Sequence, residues 1–317
     1  MRFTRFMPDG WAEFDKFKSA ADMYPRQLTG DEKAGFWQKP LDWKKGHPNY
    51  LSNMYQLLNG IQAMDLEPQA TILEVGSGAG WTTEMLAGLR YRVVCLEPAE
   101  VMLEAARERV PAFLQAHAMS QLITNVSYYC TTLEEAELPD HFADAVLFFE
   151  SFHHIVDEHR SLRQVVRFLK PGGVLCILGD ANWIPGLKEQ EDFWVDEMER
   201  FGTLESPFTH TYLVELLASY GFMDIHRHHS VNGFVPVERE DEPARNFAGH
   251  LDARYVNLIT ARVPVENDAE EEEAEGSTAR EVSAKSSAWA RFRSALGRRG
   301  ILAELGRRAS KRISAEF

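Results

Sequence analysis

Thr71-Ile-Leu-Glu-Val-Gly-Ser-Gly-Ala-Gly-Trp81 is the stretch on which the fold turns. An apolar, β-branched run ends in glycines at alternate positions, Gly76, Gly78 and Gly80. Such a run reads as a strand feeding a tight turn and a helix. Without Cβ atoms, the turn lets backbone approach a ligand closely. A second apolar run, Val93-Val-Cys-Leu96, ends in an acid, Glu97, twenty-one residues after Gly76. An ionised carboxylate only accepts hydrogen bonds, so Glu97 suits the ribose hydroxyls of a nucleoside cradled by the first turn.

Glycine spacing separates two cofactor classes. The dinucleotide fingerprint needs G-x-G-x-x-G, its third glycine allowing close helix–strand packing. Here Trp81 stands at that third position, and the pattern is E-x-G-x-G-x-G from Glu74 to Gly80. In these residues the chain resembles the class I S-adenosylmethionine (SAM)-dependent methyltransferases, over about residues 70–265. The resemblance implies a Rossmann-like α/β fold, a seven-stranded and mostly parallel sheet sandwiched by helices, its final strand inserted antiparallel. It implies SAM as cofactor, held by Glu74, Gly76, Ser77, Gly78, Gly80, Glu97 and Pro98.

The rest of the chain alternates in the same way. Strands are expected at 71–75, 92–96, 126–130, 144–149 and 173–179, with helices at 80–90, 99–115 and 158–168 between them. Helix-length connections imply a parallel sheet covered on both faces. Lys170-Pro-Gly-Gly173 reads as a helix stop and turn before the fifth strand. Helices at 187–200 and 209–220 and strands near 222–230 and 254–263 complete the pattern.

The carboxyl ends of the strands form one surface. Met102, on the helix after Glu97, is placed either against an adenine face or in helix–sheet packing. Past the third strand the resembled family puts an acid beside the adenine amino group. This chain has Thr131 and Thr132 there, so Thr132, the Leu133 backbone or Glu134 takes that contact. Past the fourth strand, Glu150 or Ser151 faces the methionine side, and His153 and His154 follow close to the transferable methyl. A histidine titrates near neutrality and suits a base removing an acceptor proton, His154 ahead of His153; a purely structural role for both is the other reading. Asn182 and Trp183, past the fifth strand, are candidates for acceptor contact. His226, His228 and His229 permit a metal reading, but no cysteine or acid stands at ligand spacing, so no metal is expected there.

Composition sets the outer limits. The net charge of −14 over 317 residues argues against a nucleic-acid partner. Three cysteines in apolar, strand-like runs read as buried reduced thiols, which with no evident secretory leader or membrane span points to the cytoplasm. Residues 1–65, rich in aromatics, read as a helical N-terminal cap, and 66–265 as the methyltransferase domain. Residues 266–275 hold seven acids and no base, so 266–280 reads as a disordered linker. Residues 281–317 carry nine Lys or Arg against three acids around Trp289, Phe292 and Leu296. That pattern reads as an amphipathic tail, touching the inner membrane surface weakly or folding back on the acidic core.

Cys95-Leu-Glu-Pro98 and Gly179-Asp-Ala-Asn-Trp183 look similar to methyltransferases found with bacterial polysaccharide-synthesis enzymes. That likeness favours a small hydroxylated acceptor, a sugar or polysaccharide precursor. The alternatives are N- or C-methylation of a metabolite or quinone-like lipid, an NAD-dependent oxidoreductase, and a SAM-binding protein without catalysis.

Overall fold

The computed structural model describes residues 4–7, 30, 35, 37–41, 47–228 and 256–265. Seven strands make one sheet: β1 (Thr71–Val75), β2 (Arg92–Leu96), β3 (Val126–Tyr129), β4 (Ala143–Phe149), β5 (Leu169–Ala181), β6 (Met223–His228) and β7 (Val256–Arg262). Their order is β3-β2-β1-β4-β5-β7-β6. The first five run parallel, and β7 is antiparallel to both β5 and β6. The inserted final strand is therefore present as the resemblance implied.

Both faces of the sheet are covered, which is why its central strands read as continuous apolar runs rather than alternating ones. Alternate residues point to opposite faces. Ile72, Val93, Leu147 and Cys176 pack with Leu57 and Met64 of α1 (His47–Met64) and Leu86 of α2 (Trp81–Gly88). Leu73, Val146, Leu175 and Ile177 pack on the other face with Leu162 and Val165 of α4 (Glu158–Phe168) and Leu213 and Leu217 of α6 (His210–Ser219). Between these lie α3 (Glu100–Ala116), whose Val110 and Leu114 pack on Ala87 of α2, and α5 (Lys188–Phe201), beyond the fifth strand.

Two expectations change, at residues 170–173 and at Cys130. The helix 47–64, the longest described part of the segment expected as a cap, lies on the sheet, close enough that a Cβ on Gly60 would stand 2.7 Å from Leu178. Lys170-Pro-Gly-Gly173 does not end the preceding helix as a turn before a strand. Leu169 already pairs with Ala143 and Val174 with Ala145, so the segment is a bulge within β5, with Gly172 in left-handed conformation. Cys95 and Cys176 are buried thiols, but Cys130 is exposed because β3 lies at the sheet edge. His226 and His228 lie on the opposite edge strand, 6.3 Å apart between ring centres, with His228 Nε2 hydrogen-bonding Thr260 Oγ1 at 2.9 Å. His229, the acidic linker 266–280, the tail 281–317 and most of 1–46 lie outside the described residues. Among the described residues no helix is long and apolar enough to cross a membrane.

Candidate active site

The chain moves outward from β1 through β2 to β3, then returns to place β4 on the other side of β1. Ligands of open α/β sheets lodge where the strand order reverses in this way. A cavity of about 790 Å³ opens there, within the usual size of a small-molecule site. Gly76, Ser77, Gly78, Glu97, Pro98, Met102, Thr132, Leu133, Glu150, His153 and His154 all line it, so the structure brings eleven of the thirteen expected residues together.

Glu74 and Gly80 are the two it withdraws from the lining. The Glu74 carboxylate is buried behind the turn, taking the hydroxyls of Thr82 and Thr83 from the first turn of α2. Burial pushes its pKa up to about 7. Its work is to tie the glycine turn to the helix that follows. Gly80 is needed for packing: its φ is +81°, and a Cβ there would stand 2.8 Å from the Ala106 Cβ on α3. Gly76 is equally tight, against Ser151 Cβ at 2.7 Å, and Ser151 Oγ donates to Val75 O at 2.7 Å across the reversal point. Gly78 differs. A Cβ there would meet only Met102, at 3.8 Å, so this glycine leaves room for a ligand.

Most N–H groups of the turn are already committed. Those of Gly76 and Ser77 donate to Leu96 O, Gly78 to Glu97 Oε2 at 2.8 Å, and Gly80 to Ser77 O. A pyrophosphate needs such groups free. The cleft also presents Glu97, Glu134, Glu150, Glu189, Glu197 and Glu205, with Lys39 paired to Glu150 at 2.9 Å. The acidic lining favours a cationic over an anionic ligand, which weighs against the NAD alternative. The residues fit SAM, a sulfonium cation. Gly78 leaves the space, Glu97 is held by the N–H groups of Gly78 and Ala99 with its carboxylate at the cavity wall, and Met102 closes the far side. Backbone strain marks the same place: Glu150, at the end of β4, has a φ of +50°, and Gly179 opposite it has no Cβ to collide with the Glu150 side chain.

The histidines stand in a turn, Phe152–His154, gripped by Asp180 at the end of β5. Asp180 accepts from the N–H groups of Phe152 and His153 and pairs with His153 Nδ1. On its other side His153 Nε2 meets Glu205 Oε2 at 3.1 Å. Burial by itself would discharge this imidazole, but the two carboxylates outweigh it and raise the pKa to about 10. Held between two carboxylates, His153 favours its cationic form and is less suited than His154 to act as a base. For His154 burial and the neighbouring His153 charge both lower the pKa. Its Nδ1 lies 2.6 Å from Leu204 O. A carbonyl can only accept, so Nδ1 carries the proton and Nε2 keeps the lone pair.

Glu205 arrives beside the histidines through a buried arginine. Arg5 donates to Ser206 O at 3.1 Å, to His153 O at 3.3 Å and to Ile155 O, pairs with Glu158 at 3.2 Å, and lies 4.6 Å over Phe208. Neither Asp180 nor Glu205 was expected in the site. Asp180 was findable, since it closes a strand whose carboxyl end faces the cleft; Glu205 stands in an irregular segment with no motif to announce it. Asn182 and Trp183 are absent from the lining, for Trp183 packs on Phe6, Met198 and Leu204. Apolar lining comes instead from Val156, Leu187, Phe193, Trp194 and Leu204.

A cleft at the reversal point, a glycine turn and an acid at the end of the second strand make a Rossmann-like small-molecule site. Residues 73–177 match the family model described as a methyltransferase domain. The chain is 31% identical over 113 residues to the ubiquinone biosynthesis O-methyltransferase of Bradyrhizobium diazoefficiens, covering 35% of this chain and 41% of that protein. It is 30% identical over 121 residues to the ubiquinone/menaquinone biosynthesis C-methyltransferase UbiE of Proteus mirabilis, 37% of this chain and 45% of that protein. The chain thus spans about half the length of these curated relatives. Among solved structures it superposes on a phosphoethanolamine N-methyltransferase 2 of Haemonchus contortus with a TM-score of 0.51 at 17% identity, over 78% of this chain and 60% of that one. Residues 73–177 thus carry a methyltransferase domain, and the cleft built around them fits SAM as its cofactor.

Proposed function

We propose that the protein transfers the SAM methyl group to a hydroxyl of a small ring-shaped acceptor of phenolic or quinone type, with His154 as the base. The carrying observation is the His154 tautomer. With Nδ1–H held by Leu204 O, the imidazole lines the cleft with a basic Nε2. His153, fixed as a cation between Asp180 and Glu205, keeps its neighbour neutral at a ring separation of 4.0 Å. SAM, when bound, supplies a methyl group already activated as a sulfonium. The chain's own task is to hold the acceptor oxygen in line and to take its proton on His154 Nε2 as the new C–O bond forms.

Phe193 and Trp194 on α5, with Leu187 and Val156, offer a planar ring an apolar wall and exclude water from the transfer. This supports the quinone-type acceptor over the sugar expected from sequence, as does the likeness to a ubiquinone biosynthesis O-methyltransferase. The likeness to UbiE favours a second reading, methylation at a ring carbon, in which the same base removes the proton from a phenol.

The test is methyl transfer from labelled SAM to catechols, hydroquinones and simple sugars. His154→Gln should lower kcat on a phenolic acceptor by about 10²–10⁴ and leave SAM affinity unchanged. Turnover on sugars with none on phenols, or full turnover by the variant, would reject the reading.

A further inference from the structure

His153, His154 and Glu205 each offer a ligand atom, and these atoms lie within 4.8 Å of one another. They form the one such group of three among the described residues. We propose that they bind a single divalent transition metal of borderline softness, zinc or cobalt(II) in kind, and that its presence takes His154 out of use as a base.

The separations suit a bridging ion. His153 Nε2 and Glu205 Oε2 are 3.1 Å apart, and His154 Nδ1 and Glu205 Oε1 3.8 Å. Zinc bonds of about 2.0–2.2 Å to nitrogen and oxygen put neighbouring ligands roughly 3.4 Å apart in a tetrahedron. Two imidazoles and one carboxylate match zinc and cobalt better than magnesium or calcium, which prefer all-oxygen shells. Behind the site, Asp180 fixes the ring of His153 through Nδ1 and leaves Nε2 to the ion. A carboxylate behind a ligating histidine is the usual support of such centres. The two buried carboxylates around these rings call for a cation in any case, and a metal displaces the proton that otherwise fills that role. All three ligand residues line the cleft.

The consequence for catalysis is tautomeric, and it rests on the reading of His154 as the base. Leu204 O stands on the Nδ1 lone-pair axis at 2.6 Å, so ligation there requires the His154 ring to turn away from that carbonyl and give up the Nδ1 proton. The neutral ring then carries its remaining proton on Nε2 and has no lone pair for the acceptor. Metal-free protein is the active form, and the loaded form is silent.

Chelator-stripped full-length protein is titrated with cobalt(II), followed by visible absorption, and with zinc by calorimetry. One equivalent should bind with the spectrum of a tetrahedral site. His154→Gln and Glu205→Gln should each weaken binding at least a hundredfold, and Asp180→Asn about 10–100-fold. The double variant His226→Ala/His228→Ala, altered on the far sheet edge, should bind as wild type. His154 is partly exposed, so its variant tests the site even if Glu205→Gln fails to fold. No binding, or binding indifferent to both ligand variants, overturns the site. Zinc that binds without lowering turnover overturns the switch. Binding is read without any acceptor, so failure of the methyl-transfer reading is separately visible.

Discussion

Replacing Glu74 with glutamine separates a supporting role from a cofactor-binding one. The carboxylate is 1% exposed, and burial sets its pKa at about 7 against an ordinary 4.5. The folded state therefore holds on to a proton that the unfolded chain releases. Stability from such a raised group is fully present below about pH 4.5 and is lost as pH rises through about 7. The shift of about 2.5 units, at 1.36 kcal/mol each, amounts to about 3 kcal/mol. Glutamine keeps an acceptor for one threonine hydroxyl and has no charge to desolvate, so Glu74→Gln should escape this loss. Its mismatch with the second hydroxyl is a constant offset at every pH. Urea unfolding of both proteins at several pH values should show the variant gaining about 3 kcal/mol on wild type between pH 4.5 and 8, while SAM affinity changes little. A pH-independent difference would refute the burial account. A large loss of SAM affinity with unchanged stability would return Glu74 to the cofactor.

Gly80→Ala should cost more stability than Gly78→Ala, about 2–3 kcal/mol against about 1. The first adds a collision with Ala106 to the strain of a positive φ, and the second adds strain alone. Calorimetry with SAM should rank them the other way, because only the Gly78 side faces the cavity; the reverse order in both assays would break the division between them. Arg5→Met removes the partner of Glu158 and the donor to three carbonyls. It should destabilise by about 3 kcal/mol in urea unfolding, and a loss below about 1 would show that the arginine does not hold the two turns together.

What was legible was whatever short-range backbone geometry writes into adjacent residues. The turn at 76–80 needs glycine at set positions, and helices of the α4 kind show as Leu162, Val165 and Val166 behind the Asp157 cap. The sheet followed because buried parallel strands are apolar throughout. Glu74 was misplaced for a reason of the same scale. Proximity in sequence to Gly76 does not say which side of the strand a carboxylate takes, and the two threonines that claim it stand in the next turn of helix.

The chemistry of the histidines was not local in that sense. A His-His pair after the fourth strand suggests a base but does not say which ring serves. In the proposed mechanism the choice follows from Asp180, 27 residues on, from Leu204, 50 residues on from His154, and from Glu205 beyond it. The histidine turn is tied to the segment after Glu205 by Arg5, 148 residues before His153 in the chain, which donates to His153 O and Ser206 O. Two carboxylates favour the charged form of one histidine, and that charge together with burial favours the neutral form of the other. The same charges that sort proton from lone pair also gather three ligand atoms around one point. Any substitution that frees His153 from Asp180 should therefore disturb the base and the metal site together, whereas one that alters only the α5 aromatic wall should change acceptor choice and leave both intact.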